Sequence, residues 1–127
     1  MKEGDDPIKN ERWYPHFIGI LGELVYGETV GLRPKLDVAE EGDDIDFGDI
    51  EIKTRCCKDR NPYLIIKKRE FVRKNPKHYV LVRLEPDFSG AEILGKISRR
   101  SFEKKSKDMF MKGREVMVVR AEELGKL

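Results

Sequence analysis

The chain has 127 residues, 39% of them apolar and 39% charged, with a formal net charge of +2. That length allows one domain with a real core and excludes a separate recognition domain, while the charged share exceeds the usual quarter or so, as in ion-pair-rich thermophilic proteins. No apolar run approaches the ~20 residues of a membrane span, and the polar start Met1 to Asp6 lacks the pattern of a signal peptide, so a soluble, intracellular protein is expected.

Residues 1–12 are polar and are expected to form a flexible N-terminus, with 13–127 as a single domain. Trp13, Phe17, Ile20, Leu21, Leu24 and Val25 recur at helical spacing, Pro15 suits a helix start and Gly27 its end. Glu23 falls at the edge of that stripe, and Gly19, one turn earlier, would let another backbone or a phosphate approach closely. Leu32 to Val38 reads as a first strand after a turn-rich approach.

A hairpin is expected over Asp43 to Cys56. Gly48-Asp49 places glycine at the first central position of a two-residue connection, the preference of a type II′ turn. Such a turn pairs Phe47 with Ile50, Asp46 with Glu51, Ile45 with Ile52 and Asp44 with Lys53. Opposite residues share a face, so Asp44, Asp46, Glu51 and Lys53 cluster on one side while Ile45, Phe47, Ile50 and Ile52 bury the other. Acid against acid is unfavourable unless a cation stands between them, and hard oxygen ligands suit a divalent one. A four-residue loop from Asp46 to Asp49 would instead set Asp44 opposite Glu51.

Beyond the hairpin, Asn61-Pro62 breaks the chain before the apolar run Tyr63 to Ile66. Lys67 to Asn75 reads as a short basic helix with Phe71 and Val72 inward, stopped by Asn75-Pro76. The nearly continuous apolar run His78 to Leu84 predicts a central strand covered on both faces. Ala91 to Ile97 is another strand, Ser98 caps a basic helix reaching about Lys107 with Phe102 inward, and Glu115 to Val119 supplies a late edge strand. The expected class is α/β (α+β), a mixed central β-sheet with flanking helices.

An acid followed by Glu51-Ile52-Lys53 after a hairpin resembles the signature of the PD-(D/E)XK nuclease superfamily, which includes many restriction endonucleases, mismatch-repair nickases and Holliday-junction resolvases. Ile45 stands where the family's proline would. The resemblance implies a restriction endonuclease-like core and phosphodiester hydrolysis dependent on Mg²⁺, for which Mn²⁺ could substitute. It assigns Asp46 (or Asp44) and Glu51 as metal ligands, Lys53 to the attacked phosphate, and Glu23 of Gly22-Glu23 to the completion of the site. It also implies double-stranded or branched DNA as partner and, as in many proteins of this kind, a homodimer, with Met109 to Val119 as a candidate contact.

Charge segregation fits that reading. From Asp37 to Glu51 there are eight acidic residues and no basic one, whereas Lys53 to Lys77 holds ten Lys or Arg against two acids. Arg55, Lys58, Arg60, Lys67, Lys68, Arg73 and Lys74 are therefore candidates for phosphate contacts, although a solvated helix face would look the same. Cys56 and Cys57, adjacent on a strand, point to opposite faces, which argues against a shared zinc site or a structural disulfide and for one thiol in the core and one near the surface. His16 and His78 have no ligand-spaced partners, and no Gly-x-Ser-x-Gly elbow or phosphate loop exists. A catalytically silent nucleic-acid-binding or assembly domain on the same fold, and an RNA-processing nuclease, stay open as alternatives.

Overall fold

The computed structural model describes residues 13–31 and 48–126. The expected first strand near Leu32 to Val38, the outer half of the Asp43 to Cys56 hairpin and residues 1–12 lie outside that range. In chain order the elements are helix α1 (Trp13–Val30), strands β1 (Ile50–Cys56) and β2 (Tyr63–Lys67), helix α2 (Lys68–Arg73), strands β3 (His78–Leu84) and β4 (Ala91–Ser98), helix α3 (Arg99–Lys105), strands β5 (Lys107–Met111) and β6 (Arg114–Arg120), and a 3₁₀ turn (Ala121–Glu123).

The strands form two three-stranded sheets, ordered β1-β3-β4 and β2-β6-β5. In the first, β1 runs parallel to β3 and β4 antiparallel to it; the second is antiparallel throughout. The single mixed sheet expected from the sequence is thus divided. Tyr63–Lys67 pairs with the distant Val116–Arg120 and not with its sequence neighbour β1, a long-range choice that local patterning does not encode.

Alternation along β1 and β3 sets three layers. Ile52, Val80, Val82 and Leu84 face α1, where Ile18 and Tyr26 are buried against them and Leu21 and Val25 pack alongside. On the other side Tyr79 and Leu81 meet Leu64, Ile66, Met117 and Val119 of the second sheet, joined by Phe71 of α2 and Phe102 of α3. With both faces covered, β3 is buried from Tyr79 to Leu84, as its apolar run predicts. Each fully buried aliphatic or aromatic side chain contributes about 1.5–3 kcal/mol. The one charge in that strand, Arg83, is 3% exposed and donates to the Cys57 carbonyl at 2.7 Å and to Glu92 at 3.0 Å, which offsets its burial.

Helix α1 is rotated from its expected stripe. Ile18 and Tyr26 are buried, but Phe17 and Leu24 are exposed. Gly22 decides this: a Cβ there would lie 1.9 Å from Thr54 Oγ1, so the bare helix backbone seats directly on β1 and the positions four residues either side turn inward. Gly19, expected at a close approach, has nothing within 4 Å of its would-be Cβ. The helix runs past Gly27 to Val30, and Gly31, at φ +75°, follows its end.

Other local readings hold. Ser98 accepts a hydrogen bond from the Ser101 amide at 3.1 Å and Phe102 is fully buried, although α3 stops at Lys105. Strand β6 is central in its sheet, not an edge, and the edge strand β5 had no place in the sequence reading. Its signal is Lys112-Gly113, both at positive φ, a two-residue hairpin connection between apolar runs. Of the stretch Met109 to Val119 expected to meet a second copy, Val116–Val119 are interior, while Met109 and Phe110 are exposed. No described helix is long and apolar enough to cross a membrane.

Candidate active site

Gly48 takes φ +63°, the sign a type II′ turn requires at its first central residue, and β1 begins at Ile50. From there alternation places Ile50, Ile52, Thr54 and Cys56 toward α1 and Glu51, Lys53 and Arg55 toward the opposite side. Asp44 and Asp46 lie outside the described residues. Among the described residues, β1 is an outer strand of its sheet, bonded on one edge to β3 alone.

Glu51 is 5% exposed and does not stand alone. Lys53 Nζ lies 2.6 Å from Glu70 Oε1 and 3.4 Å from Glu51 Oε2. Lys74 Nζ lies 3.4 Å from Glu51 Oε2 and 3.8 Å from Glu70 Oε1. Two acids and two amines therefore alternate around a closed, electrically neutral ring. The strand supplies one acid and one amine, and α2 with its C-cap Lys74 supplies the others.

The ring leaves one valence unused. Glu51 Oε1 is buried and has no hydrogen-bond partner among the described residues, which is costly unless something fills the place. Burial pushes the Glu51 carboxyl above the usual carboxylate range against the pull of Lys53, and a hydrogen bond with Glu70 raises it further. Glu70, although burial works against its charge, is held below that range chiefly by Lys53. The two acids are thus pushed in opposite directions by the same surroundings.

Behind the ring, Tyr79 pairs with Glu51 in the parallel register. Its phenol is pushed up to about 12 by burial. Arg99 stacks on Phe71 at 3.9 Å and donates to the Phe71 carbonyl at 2.8 Å, fixing α2 against α3. In the unfolded chain Tyr79 would ionise near pH 10, in the folded chain only near 12, so the stability this contributes is complete below pH 10 and lost as pH rises toward 12. Denaturant melts of the wild type should show a steeper alkaline loss than those of Tyr79→Phe, in which only Tyr26, also raised by burial, still contributes in this way. A wild-type profile flat from pH 10 to 12 would contradict the environment described.

The other candidates are dispersed. Glu23, half-buried, belongs to α1, whose Gly22 touches the Thr54 face of β1, opposite to Glu51 and Lys53. Arg55 donates to the Tyr63 carbonyl at 2.8 Å and ties β1 to β2. Lys58, Arg60, Lys67, Lys68 and Arg73 are exposed. Lys74, expected on the outer basic face, is instead part of the ring. Val72, expected inward, is 79% exposed, because Phe71 alone takes the buried side of this six-residue helix. Cys56 and Cys57, both half-buried, share no disulfide among the described residues, and the Cys56 thiol donates to the Glu85 carbonyl at 3.7 Å.

Glu70 was not singled out in the sequence. Its signal is a lone acid inside a basic helix, four residues before Lys74 and therefore on the same face. Among the described residues no three metal-binding side chains gather; the expected partners Asp46 and Asp44 lie outside the described residues. No family model, curated protein or solved structure matches the chain.

Proposed function

We propose that the protein is a metal-dependent nuclease of the PD-(D/E)XK type, acting on DNA as an endonuclease. The observation that carries the reading is the pairing of Glu51 and Lys53 on one face of β1, with Glu51 buried and its Oε1 unpartnered. A helix, a Glu-x-Lys strand, a crossover containing a helix and a parallel strand support it: α1, β1, α2 and β3 occur in that order, with β2 of the second sheet between β1 and α2, and β1 runs parallel to β3.

The donor set fits Mg²⁺ or Mn²⁺. Glu51 Oε1 is a hard oxygen without a partner, and with Asp46 or Asp44 it would hold the ion. Bound there, such an ion supplies neutralisation of the phosphate charge and a lowered pKa for water. Lys53, held by Glu70, keeps an ammonium beside Glu51, where it can meet a phosphate oxygen. Lys53 is assigned a role through its position beside the phosphate and not that of a general base.

One observation favours the rival reading, a binding domain without catalysis. The four charges already satisfy one another, and a neutral ring needs no metal for stability. Cleavage of supercoiled plasmid, with and without chelator, separates the two.

Both readings share a nucleic-acid surface. Reversing charge at Lys67, Lys68 and Arg73 should weaken DNA binding for all sequences and flatten the salt dependence, by a slope of about 0.9 for each phosphate no longer neutralised. Binding titrations at several salt concentrations measure that slope. If it stays unchanged, these side chains are a solvated face only.

A further inference from the structure

The groove between α2 and the β5–β6 hairpin differs from the rest of the basic surface. Lys67, Lys68, Arg69 and Val72 line one wall and Arg114 and Glu115 the other, around about 610 Å³. Lys68 is paired with Asp108 at 3.5 Å, whereas Lys67, Arg69 and Arg114 form no ion pair among the described residues. Phe110 does not line the groove itself, but it lies directly across the ladder from Glu115, which does, and so on the same face of the hairpin. Phe110 is 70% and Val72 79% exposed, the two most exposed large apolar side chains among the described residues.

This combination selects its occupant. Duplex backbone is held by cations and hydrogen-bond donors, and nothing in that interaction uses a bare phenyl ring or an outward valine. An unpaired strand presents both flat apolar bases and phosphates, and so uses an aromatic platform with cations around it. Helix α2 joins the groove to the candidate site, because Glu70 and Lys74 from the same segment close the ring around Glu51 and Lys53, and a helix is about 10 Å thick.

We propose that this groove holds unpaired nucleotides of the substrate, with bases against Phe110 and Val72 and phosphates on Lys67, Arg69 and Arg114. The inference rests on the nucleic-acid reading above and sharpens it to a substrate with single-stranded character beside the cleaved bond, such as a branch or flap.

The test is fluorescence anisotropy in excess EDTA, where no metal-dependent cleavage can intervene. The probes are a labelled oligothymidylate and a blunt hairpin duplex of equal nucleotide count. Phe110→Ala should weaken oligothymidylate binding at least about fivefold and duplex binding less than about twofold, since stacking acts on exposed bases only. Arg114→Ala should weaken both. Phe110 is exposed, so its variant should melt like the wild type.

Equal losses on the two probes, or none, would overturn the groove assignment, as would tighter binding of polyglutamate than of oligothymidylate. So would sedimentation showing that Phe110→Ala dissolves a dimer while single-strand affinity stays unchanged. A wild type that binds neither nucleic acid would sink the nucleic-acid reading with it. One that cuts duplex normally and ignores Phe110→Ala would sink the groove alone.

Discussion

Lys53→Ala should remove nearly all Mg²⁺-dependent plasmid cleavage, by a factor of about 10²–10³, the usual effect of deleting one preorganised charge at a reacting centre. The loss would be chemical, not structural. Lys74 still bridges Glu51 and Glu70, so the fold should survive, at a stability cost of about 1–3 kcal/mol for taking one amine from two largely buried acids. Glu51→Gln should be as inactive and should also lose Mn²⁺ affinity, because it removes the unpartnered oxygen that suits a hard cation. Asp46→Asn and Asp44→Asn, run alongside, rank the two remaining acids: a two-residue turn makes Asp46 the more damaging loss, a four-residue loop Asp44. Cleavage that survives excess EDTA would end the metal mechanism, and a Lys53→Ala protein that cuts at the wild-type rate would end the assignment of the site. A wild type that binds DNA but fails to cut it whichever divalent metal is supplied would establish the silent reading instead.

Gly22→Ala and Gly19→Ala should move stability in opposite directions although they lie one turn apart on α1. At Gly19 a methyl group meets nothing within 4 Å, so the gain in helix propensity acts alone and stabilises by up to about 1 kcal/mol. At Gly22 the same methyl would lie 1.9 Å from Thr54 Oγ1 and 2.9 Å from Thr54 Cβ. Thr54 is β-branched and fixed in the middle of β1, so it cannot swing aside as a flexible side-chain end would. The helix must lift instead, loosening Ile18 and Tyr26 from Ile52 and Val80. Overpacking of this kind costs about 1–3 kcal/mol, occasionally more, which outweighs the propensity gain. Urea melts should show a lower midpoint for Gly22→Ala and a higher one for Gly19→Ala. Thr54→Ala in the Gly22→Ala background should recover part of the loss, since it removes the closest atom. Equal, positive shifts for both glycines would mean that α1 does not sit on Thr54.

What the sequence determined by itself is what depends on local periodicity. Alternation in Ile50–Cys56 put Glu51 and Lys53 on one face and Ile50 and Ile52 on the other. The unbroken apolar run at Tyr79–Leu84 required a strand covered on both sides, and Ser98 with Phe102 marked the start and the inner face of α3. Each of these follows from residues within a few positions of one another. Tertiary structure decided the rest, because it depends on groups far apart in the chain. Pairing of β2 with β6 divided one expected sheet into two, a choice made by the fit of Leu64 and Ile66 against Tyr79 and Leu81. Gly22 meeting Thr54 fixed the rotation of α1, which spacing alone placed about one residue off. Glu70 and Lys74 read as parts of a solvated basic helix until the packing of Phe71 turned them toward β1. There the burial of Glu51 by its surroundings, and not its place in a motif, raises its carboxyl above the usual range and leaves one of its oxygens unpartnered.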